Sequence, residues 1–497
     1  MELLAFSPEI PYDLHRYYIL MVNFALKTRY NRNNSQKGAM WMPRPQGGRK
    51  TNIDMTEGVI WKQLVLFAIP LIMGNVFQQL YNTVDSIVVG NYLGTSALAA
   101  VGATTAICNT LVNFFNGISI GAGVVISTSF GAKNHEKLHE AVETTILFAV
   151  IVGCFVSLIS IGVVPVMLKW MSTPDDVVGP AGEYLKIYFV GVPVLFLYNM
   201  GSAILRAVGD TRRPLLFLII SSCLNIVLDI LFVAVFHWGI SGVAIATVMA
   251  ETVSAFLACL TLTRTDGVHK LVLKDLHINK KCLGEIFRIG LPAGVQQGLT
   301  AFSNALVQAY VNGLGSSVIM AGWSCHSKID QFAILPAQSM GQAATTFVGQ
   351  NLGAKNVKRA RKGVRQAVFM GVGALICISI VMALSARSLV SLFNRDSSVL
   401  HYGTLFILMT VPFRFCSSFN QILAGSLRGS GDAKGPMCIM LFSFVICRQI
   451  YLFFVTKIAF NEYTVGLGYP VGWIVCAVIS YFYYKRSRWE EQVEKEA

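Results

Sequence analysis

The sequence predicts an all-α integral membrane protein with twelve transmembrane helices, arranged as two six-helix lobes that are parallel repeats. Three observations predict this fold class. First, 54% of the 497 residues are apolar and only 13% are charged, whereas about 25% are charged in a soluble protein. Second, apolar runs recur along the chain, and each approaches the ~20 residues needed to cross a bilayer. Third, several short motifs occur twice at one fixed separation.

The apolar runs define the predicted spans. They are residues 63–89, 98–127, 140–166, 184–206, 214–236, 240–262, 285–312, 317–349, 364–386, 401–426, 437–459 and 466–484. The first six spans form a predicted N-terminal lobe, residues 55–270, and the last six form a C-terminal lobe, residues 271–486. Residues 487–497 form a predicted charged tail.

Residues 1–54 differ from the rest of the chain because they are polar and basic. Their one apolar piece, YYILMVNFAL, is too short to span a bilayer. Acidic residues before this piece argue against a signal peptide. We therefore predict a disordered N-terminal extension. Met55 opens the run MTEGVIWKQL, which is typical of a natural start.

Basic residues concentrate in the loops that follow even-numbered spans. They include Lys133, Lys137, Arg212, Arg213, Arg264, Lys270, Lys355, Lys358, Arg359, Arg428 and Lys434. Because Lys and Arg accumulate on the cytoplasmic side of a membrane, we predict that these loops and both termini are cytoplasmic, in the inner (plasma) membrane of the cell. Positive charge collected in such loops is the expected source of most of the formal charge of +14, and no nucleic-acid partner is expected.

The repeated motifs share a separation of 222 positions. LRAVGDTRRP at 205–214 returns as LRGSGDAKGP at 427–436, and FGAKN at 130–134 returns as LGAKN at 352–356. Pro70 and Pro292 keep the same separation. Because each half has an even number of spans, both halves enter the membrane in the same sense. Parallel repeats of this kind occur in transporters, with a site where the halves meet.

The LRxxGD motif is predicted to be a structural corner at the cytoplasmic end of each lobe. Gly209 and Gly431 suit the position after a helix C-terminus. Asp210 and Asp432 can cap the helix that follows.

Polar residues form one stripe on the first span and another on its repeat partner, the seventh. The stripes consist of Asn75, Gln78, Asn82 and Asp85, and of Gln297, Thr300, Asn304 and Gln308. Spacings of three and four place each set on one helix face. Because unpaired polar groups are costly in hydrocarbon, these faces line a cavity or hold neighbouring helices together. We predict a cavity lining, with Gln78 and Asn82 on one side and the seventh-span residues on the other.

Three carboxylates lie within predicted spans of the N-terminal half: Asp85, Asp229 and Glu251. Asn225 precedes Asp229 by one turn, and Thr247 precedes Glu251 by one turn. Intramembrane carboxylates are functional candidates, because a proton or a cation can neutralise them. Amide and hydroxyl oxygens nearby suit a hard cation such as Na⁺. The alternative is a structural hydrogen bond.

The C-terminal half carries its own intramembrane charges. His326, Lys328 and Asp330 lie in the eighth span, and Arg414 lies in the tenth. His326 and Asp330 are four residues apart and can meet, whereas Lys328 points to another face. These groups either pair to hold the bundle or contribute to substrate contact or coupling.

Residues His135, Glu136 and His139 match the H-E-x-x-H zinc pattern. An intramembrane metalloprotease is therefore a second function class. No third ligand is evident nearby, and the repeat copy at 357–361 lacks the motif. The run GISIGAG at 117–123 indicates close helix packing by small residues.

Several stretches resemble the multidrug and toxic compound extrusion (MATE) family, in its bacterial branch. They are WKQLVLFAIPLIMGNVFQQLYNTVDSIVVGNYLG, ATTFVGQNLGAKN, NIVLDILFV and the two LRxxGD elements. The resemblance covers about residues 55–486. It implies two six-helix lobes around a cavity that opens alternately to each side. It also implies export of amphipathic, usually cationic compounds in exchange for Na⁺ or H⁺.

The resemblance also implies which residues couple transport to the cation. The matched positions are Asp85, Asn225, Asp229 and Thr247. Other branches place a glutamate in the seventh span, where this chain has Gln296 and Gln297, which argues against a C-terminal cation site of that kind. We expect a monomer with no cofactor besides the coupling ion. The alternative transporter is a lipid-linked oligosaccharide flippase of the same superfold, which should line its cavity with many basic residues.

Overall fold

A computed structural model describes residues 53–170, 175–487 and 489, and every described regular element is helical. The N-terminal half contains helices α1 to α7: Ile60–Tyr92, Gly94–Gly131, His135–Trp170, Asp175–Val190, Val192–Ala207, Arg212–Asp229 and Gly239–Arg264. The C-terminal half contains helices α8 to α17: Lys280–Gly313, Ser317–Ala333, Leu335–Gly353, Val357–Ser391, Ser397–Thr410, Arg414–Gly429, Lys434–Met440, Arg448–Ile458, Glu462–Gly466 and Gly468–Arg486. The predicted disordered extension, up to residue 52, and nearly all of the predicted charged tail lie outside the described residues.

Each predicted span corresponds to one long helix or to a run of consecutive helices. Within the described residues, nine spans are long and apolar enough to cross a membrane, or ten if a pair bent by 47° counts as one span. That pair is α4 and α5, which together form the predicted fourth span, and Pro193 is the second residue of α5. The eighth span is likewise divided, into α9 and α10, just before Pro336. A proline at a helix start favours such breaks.

One π-helical segment interrupts the fifth span of each half. Ile230–Val235 follows α6 directly, and Leu441–Cys447 joins α14 to α15. A short 3₁₀ turn, Val411–Phe413, separates α12 from α13. Segments of π-helix are rare and occur frequently at functional sites. Here they lie directly beside charged residues, Asp229 in one half and Arg448 in the other.

The repeat is visible in the backbone. Lys133 and Lys355, which end the FGAKN and LGAKN helices, both have positive φ angles, 54° and 58°. Gly209 and Gly431 have φ angles of 91° and 86°, values that glycine adopts without the penalty of a side chain. Equivalent positions in the two halves therefore make the same unusual turns.

The capping predicted for the two aspartates of the LRxxGD motif is confirmed. Asp210 Oδ1 accepts hydrogen bonds from the backbone N–H groups of Arg212, at 3.2 Å, and Arg213, at 3.1 Å. Asp432 Oδ1 accepts one from the N–H of Gly435 at 2.9 Å. Each aspartate therefore satisfies free N–H groups at the start of the next helix.

The two lobes meet along α2 and α8 through facing glycines. Gly117 and Gly121 of α2 lie against Gly290 and Gly294 of α8, so closely that an added Cβ at any of the four would collide with opposing backbone. This contact confirms the close packing predicted for the GISIGAG run. Small residues let helix backbones approach in a membrane, where dispersion forces replace the hydrophobic effect as the driving force.

We expect the Gly121→Val variant to lose folded protein, because its Cβ would overlap the backbone of Ile286 and Gly290. Overpacking of this kind costs about 1–3 kcal/mol or more. Gly123→Ala is the matched control in the same motif, since its Cβ would lie at an ordinary 3.9 Å from Ala203. Fluorescence-detected size-exclusion chromatography after heating checks this expectation. Equal melting of the two variants would contradict it.

One end of the lobe interface is closed by hydrogen bonds. Gln350 of α10 is fully buried. Its Nε2 donates to the carbonyl of Ala207 at 2.8 Å, and its Oε1 accepts from the N–H of Met55 at 3.0 Å. Asn351 Nδ2 donates to the carbonyl of Met55 at 3.1 Å. One glutamine therefore ties the C-terminal lobe to the N-terminal lobe and to the segment that precedes α1.

Toward the other end, α1, α2 and α8 present open surface. An added Cβ at Gly102 of α2 or Gly298 of α8 would meet no atom within 4 Å. Gln78, Asn82 and Asn304 are exposed at this level. The lobes are thus joined at the end where α2 and α10 terminate, and toward the other end these helices carry exposed polar residues.

The connection between the lobes, residues 265–279, contains a buried histidine. His269 is 2% exposed, and neither ring nitrogen has a hydrogen-bond partner among the described residues. Burial, aided by the Arg213 guanidinium nearby, lowers the pKa of His269 to about 4. His269 is therefore neutral in the folded protein at neutral pH.

We expect His269 to make the protein less stable in acid. In the unfolded chain, His269 takes up a proton below a pKa of about 6.5, whereas in the folded protein it remains neutral until the pH approaches 4. The free energy of unfolding therefore decreases as the pH falls from about 6.5 toward 4. The full effect is on the order of 3 kcal/mol. His269→Phe should flatten the fall of melting temperature between pH 7 and pH 4.5, whereas His401→Gln, at an exposed site, should not. Parallel pH profiles for His269→Phe and wild type would refute this role.

Candidate functional site

The four residues predicted to bind a cation lie together in the N-terminal lobe. Asp85 lies on α1, Asn225 and Asp229 on α6, and Thr247 on α7. Helix α6 packs against both α1 and α7. Asp85 and Asp229 interact electrostatically, and Asn225 Nδ2 lies 3.5 Å from Thr247 Oγ1. The helices therefore bring residues from three spans into one cluster.

The cluster is rich in oxygen atoms that have no partner. Asp85 Oδ1, Asn225 Oδ1 and both oxygens of Asp229 are buried without a hydrogen-bond donor among the described residues. No Lys, Arg or His in the described part of the chain forms an ion pair with Asp85 or Asp229. Two carboxyl groups in contact repel each other when both are ionised, so a shared proton or a bound cation is needed to hold them. Carboxylate, amide and hydroxyl oxygens together fit a hard cation.

Asp229 occupies a distinctive place in the backbone. It is the last residue of α6, and the π-helical segment Ile230–Val235 begins immediately after it. Asp229 is completely buried, and Asn225, one turn earlier, is 1% exposed. The fifth span therefore changes its winding at the buried carboxylate.

Tyr81 is a neighbour of this cluster that the sequence reasoning missed. Its side chain lies near Thr247 and interacts electrostatically with both aspartates. It lies four residues before Asp85 on α1, so the helical spacing that selected Asn82 and Asp85 could have identified it. Tyr81 links the first span to the seventh helix beside the carboxyl pair.

Glu251, the third predicted carboxylate, lies one turn from Thr247 on α7. Its side chain is half-buried and interacts electrostatically with Tyr81 and with Tyr188 of α4. It extends the row of carboxyl groups in the cluster toward α4.

The residues of the two predicted cavity stripes differ in exposure. Gln78 and Asn82 of α1 are exposed, whereas Asn75 donates from Nδ2 to Ser339 Oγ at 3.2 Å across the lobe interface. The stripe on α1 thus lines open space over part of its length and holds helices together at its closed end.

The α8 stripe also combines half-buried and exposed residues. Gln297, Thr300 and Gln308 are half-buried, and Asn304 is exposed. Asn304 Oδ1 accepts a hydrogen bond at 3.0 Å from Arg448, a buried arginine of α15. Arg448 also donates to Ser303 Oγ and stacks on the Tyr469 ring. This arginine fixes the stripe in place.

In the C-terminal lobe, Asp330 pairs with Arg414 instead of His326. The Arg414 side chain is fully buried, and its Nη2 lies against Asp330 Oδ1. His326 is also buried, packs on the ring of Trp323 at 5.2 Å, and has no hydrogen-bond partner at Nδ1 among the described residues. Lys328 lies over the ring of Phe393, away from this cluster. The helical spacing allowed His326 to reach Asp330, but a residue from the tenth span occupies that place.

The H-E-x-x-H motif does not form a metal centre within the described residues. His139 Nε2 lies 2.8 Å from the buried carboxylate of Glu143, whose other oxygen lies 2.9 Å from His277 Nδ1. Lys137 pairs with Glu285 at 2.9 Å. The motif therefore attaches the start of α3 to the connection between the lobes.

Comparison with known families decides the class of protein. The MatE family model matches this chain twice, at residues 70–231 and 292–453. The two matches start and end 222 positions apart, which is the separation of the sequence motifs. The chain belongs to the MATE family. It is therefore a transporter and not an enzyme. This excludes the alternative of an intramembrane metalloprotease.

MATE relatives align over most of the chain. The probable multidrug resistance protein YoeA of Bacillus subtilis is 29% identical over 437 residues, which cover 86% of this chain and 94% of the relative. The multidrug export protein MepA of Staphylococcus aureus is 22% identical over 378 residues, covering 76% of this chain and 83% of the relative.

Solved MATE structures confirm the fold with two repeated lobes. One, described as the outward-facing conformation of a multidrug resistance MATE family transporter, superposes with a TM-score of 0.84 at 21% identity, covering 90% of this chain and 99% of that chain. A transporter of the same superfamily from Pyrococcus furiosus, described as having a binding pocket of reverse polarity, gives a TM-score of 0.82 at 22% identity, covering 89% and 98%.

Proposed function

We propose that this MATE transporter is a secondary antiporter that exports amphipathic, mostly cationic compounds in exchange for Na⁺ or H⁺. The observation that carries the proposal is the pair of Asp85 and Asp229, with buried, unpartnered oxygens on both residues and on Asn225. Such a pair is stable when a proton or a cation neutralises it and strained when neither is present. The site can therefore alternate between loaded and empty states.

The same negative charge makes the cavity selective. A cationic compound in the space between the lobes is attracted by Asp85, Asp229 and Glu251, which no described basic residue pairs with. Loading the site with the coupling ion removes that attraction. Compound and ion therefore compete, and uptake of one promotes release of the other.

The charged loops support the direction of transport. The end at which Gln350 closes the lobes carries Lys133, Arg212 and Lys355, and such loops are cytoplasmic by the positive-inside rule. The separated ends then face outward, where the coupling ion enters and the compound leaves. We propose an inner-membrane protein with cytoplasmic termini that acts as a monomer.

The names of YoeA and MepA as multidrug proteins favour drugs over lipid-linked sugars. A flippase would need basic groups facing the open space, and the exposed stripe residues Gln78, Asn82 and Asn304 are neutral amides.

Transport of ethidium in proteoliposomes, with Na⁺ and pH gradients imposed separately, tests the proposal. We expect export to follow one of the two gradients and to stop when that gradient is collapsed. Export that depends on neither the Na⁺ gradient nor the pH gradient would contradict the antiport mechanism.

A further inference from the structure

An apolar groove of about 700 Å³ runs along the outer face of the C-terminal lobe, between α11, α13 and α17. Its lining includes Val372, Gly373, Ile376, Phe415, Phe419, Val478 and Phe482, with Arg365 at one end. Phe369 on its edge is 82% exposed and Phe482 is 58% exposed. In a membrane protein such a surface faces lipid.

The length of the groove matches one leaflet of a bilayer. Along α11 its lining extends from Arg365 to Ile376, a rise of about 16 Å at 1.5 Å per residue. The hydrocarbon core of a bilayer is about 30 Å thick, so the groove spans about half of it. The acyl chain of a phospholipid in one leaflet has about this length.

The charged end of the groove suits an anionic headgroup. Arg365 is exposed and forms no hydrogen bond or ion pair with any described residue. Lys362 on α11, together with Lys485 and Arg486 at the end of α17, is also exposed nearby along the helices. Asp432, the described carboxylate that contacts this part of α17, accepts a hydrogen bond from Tyr483 Oη at 2.7 Å. The guanidinium of Arg365 therefore remains available at the level where phosphate groups lie.

We propose that this groove binds one acyl chain of an anionic phospholipid whose phosphate is held by Arg365. Arginine binds phosphate oxygens with two parallel hydrogen bonds, and basic pockets between transmembrane helices at the cytoplasmic surface recognise anionic headgroups. The site is separate from the cation cluster and from the space between the lobes. It goes beyond the transport activity, because a lipid is its ligand and not its cargo.

Gly373 allows the groove to be filled without disturbing the helix bundle. An added Cβ at Gly373 meets no atom within 4 Å, so Gly373→Trp places its ring in the groove. Gly162 on α3 is equally open and exposed, and Gly162→Trp is the matched control on the other lobe. Arg365→Gln removes the charge and leaves the apolar lining intact.

Native mass spectrometry of the purified transporter, titrated with phosphatidylglycerol or phosphatidylcholine of identical chains, tests the proposal. We expect wild type and Gly162→Trp to retain one phosphatidylglycerol at least fivefold more tightly than phosphatidylcholine. Arg365→Gln should bind both lipids equally, and Gly373→Trp should lose the tight site for both. Inorganic phosphate should not displace the lipid from wild type, because the chain contributes to binding.

Three results would overturn the proposal: equal retention of the two lipids by wild type, an unchanged preference in Arg365→Gln, or tight binding that persists in Gly373→Trp. Size-exclusion profiles establish that each variant is folded. If Gly373→Trp misfolds, the smaller Gly373→Leu takes its place.

Discussion

The Asp229→Asn variant is expected to lose coupled export of ethidium while it remains folded. Asparagine keeps the shape and burial of Asp229 but stays neutral, so it cannot alternately hold and release a proton or a cation. The effect is large, because each charge moved across the membrane is worth about 2.3 kcal/mol per 100 mV. A tenfold change in a concentration ratio corresponds to about 1.36 kcal/mol. At 100 mV, loss of one coupled charge therefore lowers the attainable ethidium concentration gradient roughly 50-fold. Ethidium efflux from proteoliposomes under an imposed ion gradient and membrane potential measures this loss.

Two further variants make this expectation specific. Asp266→Asn removes a carboxylate from an exposed site in the connection between the lobes and should export at the wild-type rate. If Asp85 and Asp229 share one ion, the double variant should be no worse than either single variant, because residues that act as a unit are not additive. Melting temperature should not fall in Asp229→Asn, since the change removes repulsion between two facing carboxylates. Undiminished export by Asp229→Asn would rule out the coupling role of the pair.

The sequence predicted the features that depend on periodicity and repetition. Helical spacing found Asp85 and Asp229, and the repeat found the two lobes, because both signals lie along the chain. The facing of Asp85 and Asp229 is a contact between spans one and five, which spacing alone does not determine. The resemblance to MATE transporters supplied that grouping.

Contacts between distant parts of the chain were the features that the sequence left open. Arg414 reaches Asp330 from another span. Arg448 reaches Asn304 in a similar way. A buried arginine needs several acceptors at fixed positions, and those positions are set by helix packing. Gln350 within TTFVGQN gave no sign that it would join two lobes, because glutamine is common on polar helix faces.

Gln350→Ala is the second substitution with a large expected effect, since it removes the hydrogen bonds that close the lobe interface. The change leaves the N–H of Met55 and the carbonyl of Ala207 buried without partners. A buried unpaired group costs about 1–3 kcal/mol. Once the lobes separate, water satisfies both groups, so the variant favours opening at this end. A difference of 2–3 kcal/mol shifts the population roughly 30- to 150-fold.

Distances between spin labels measure this shift in a cysteine-free background. Labels at Ala132 and Ala354, exposed positions just beyond the ends of α2 and α10, should move apart in Gln350→Ala. Labels at Asn91 and Asn312, near the opposite ends of the lobes, should approach each other. This reciprocal change distinguishes alternating access from local fraying, which would move only the first pair. Gln366→Ala is the matched control, because Gln366 Oε1 accepts no hydrogen bond among the described residues. If neither distance changes in Gln350→Ala, this glutamine does not hold the joined end of the lobes closed.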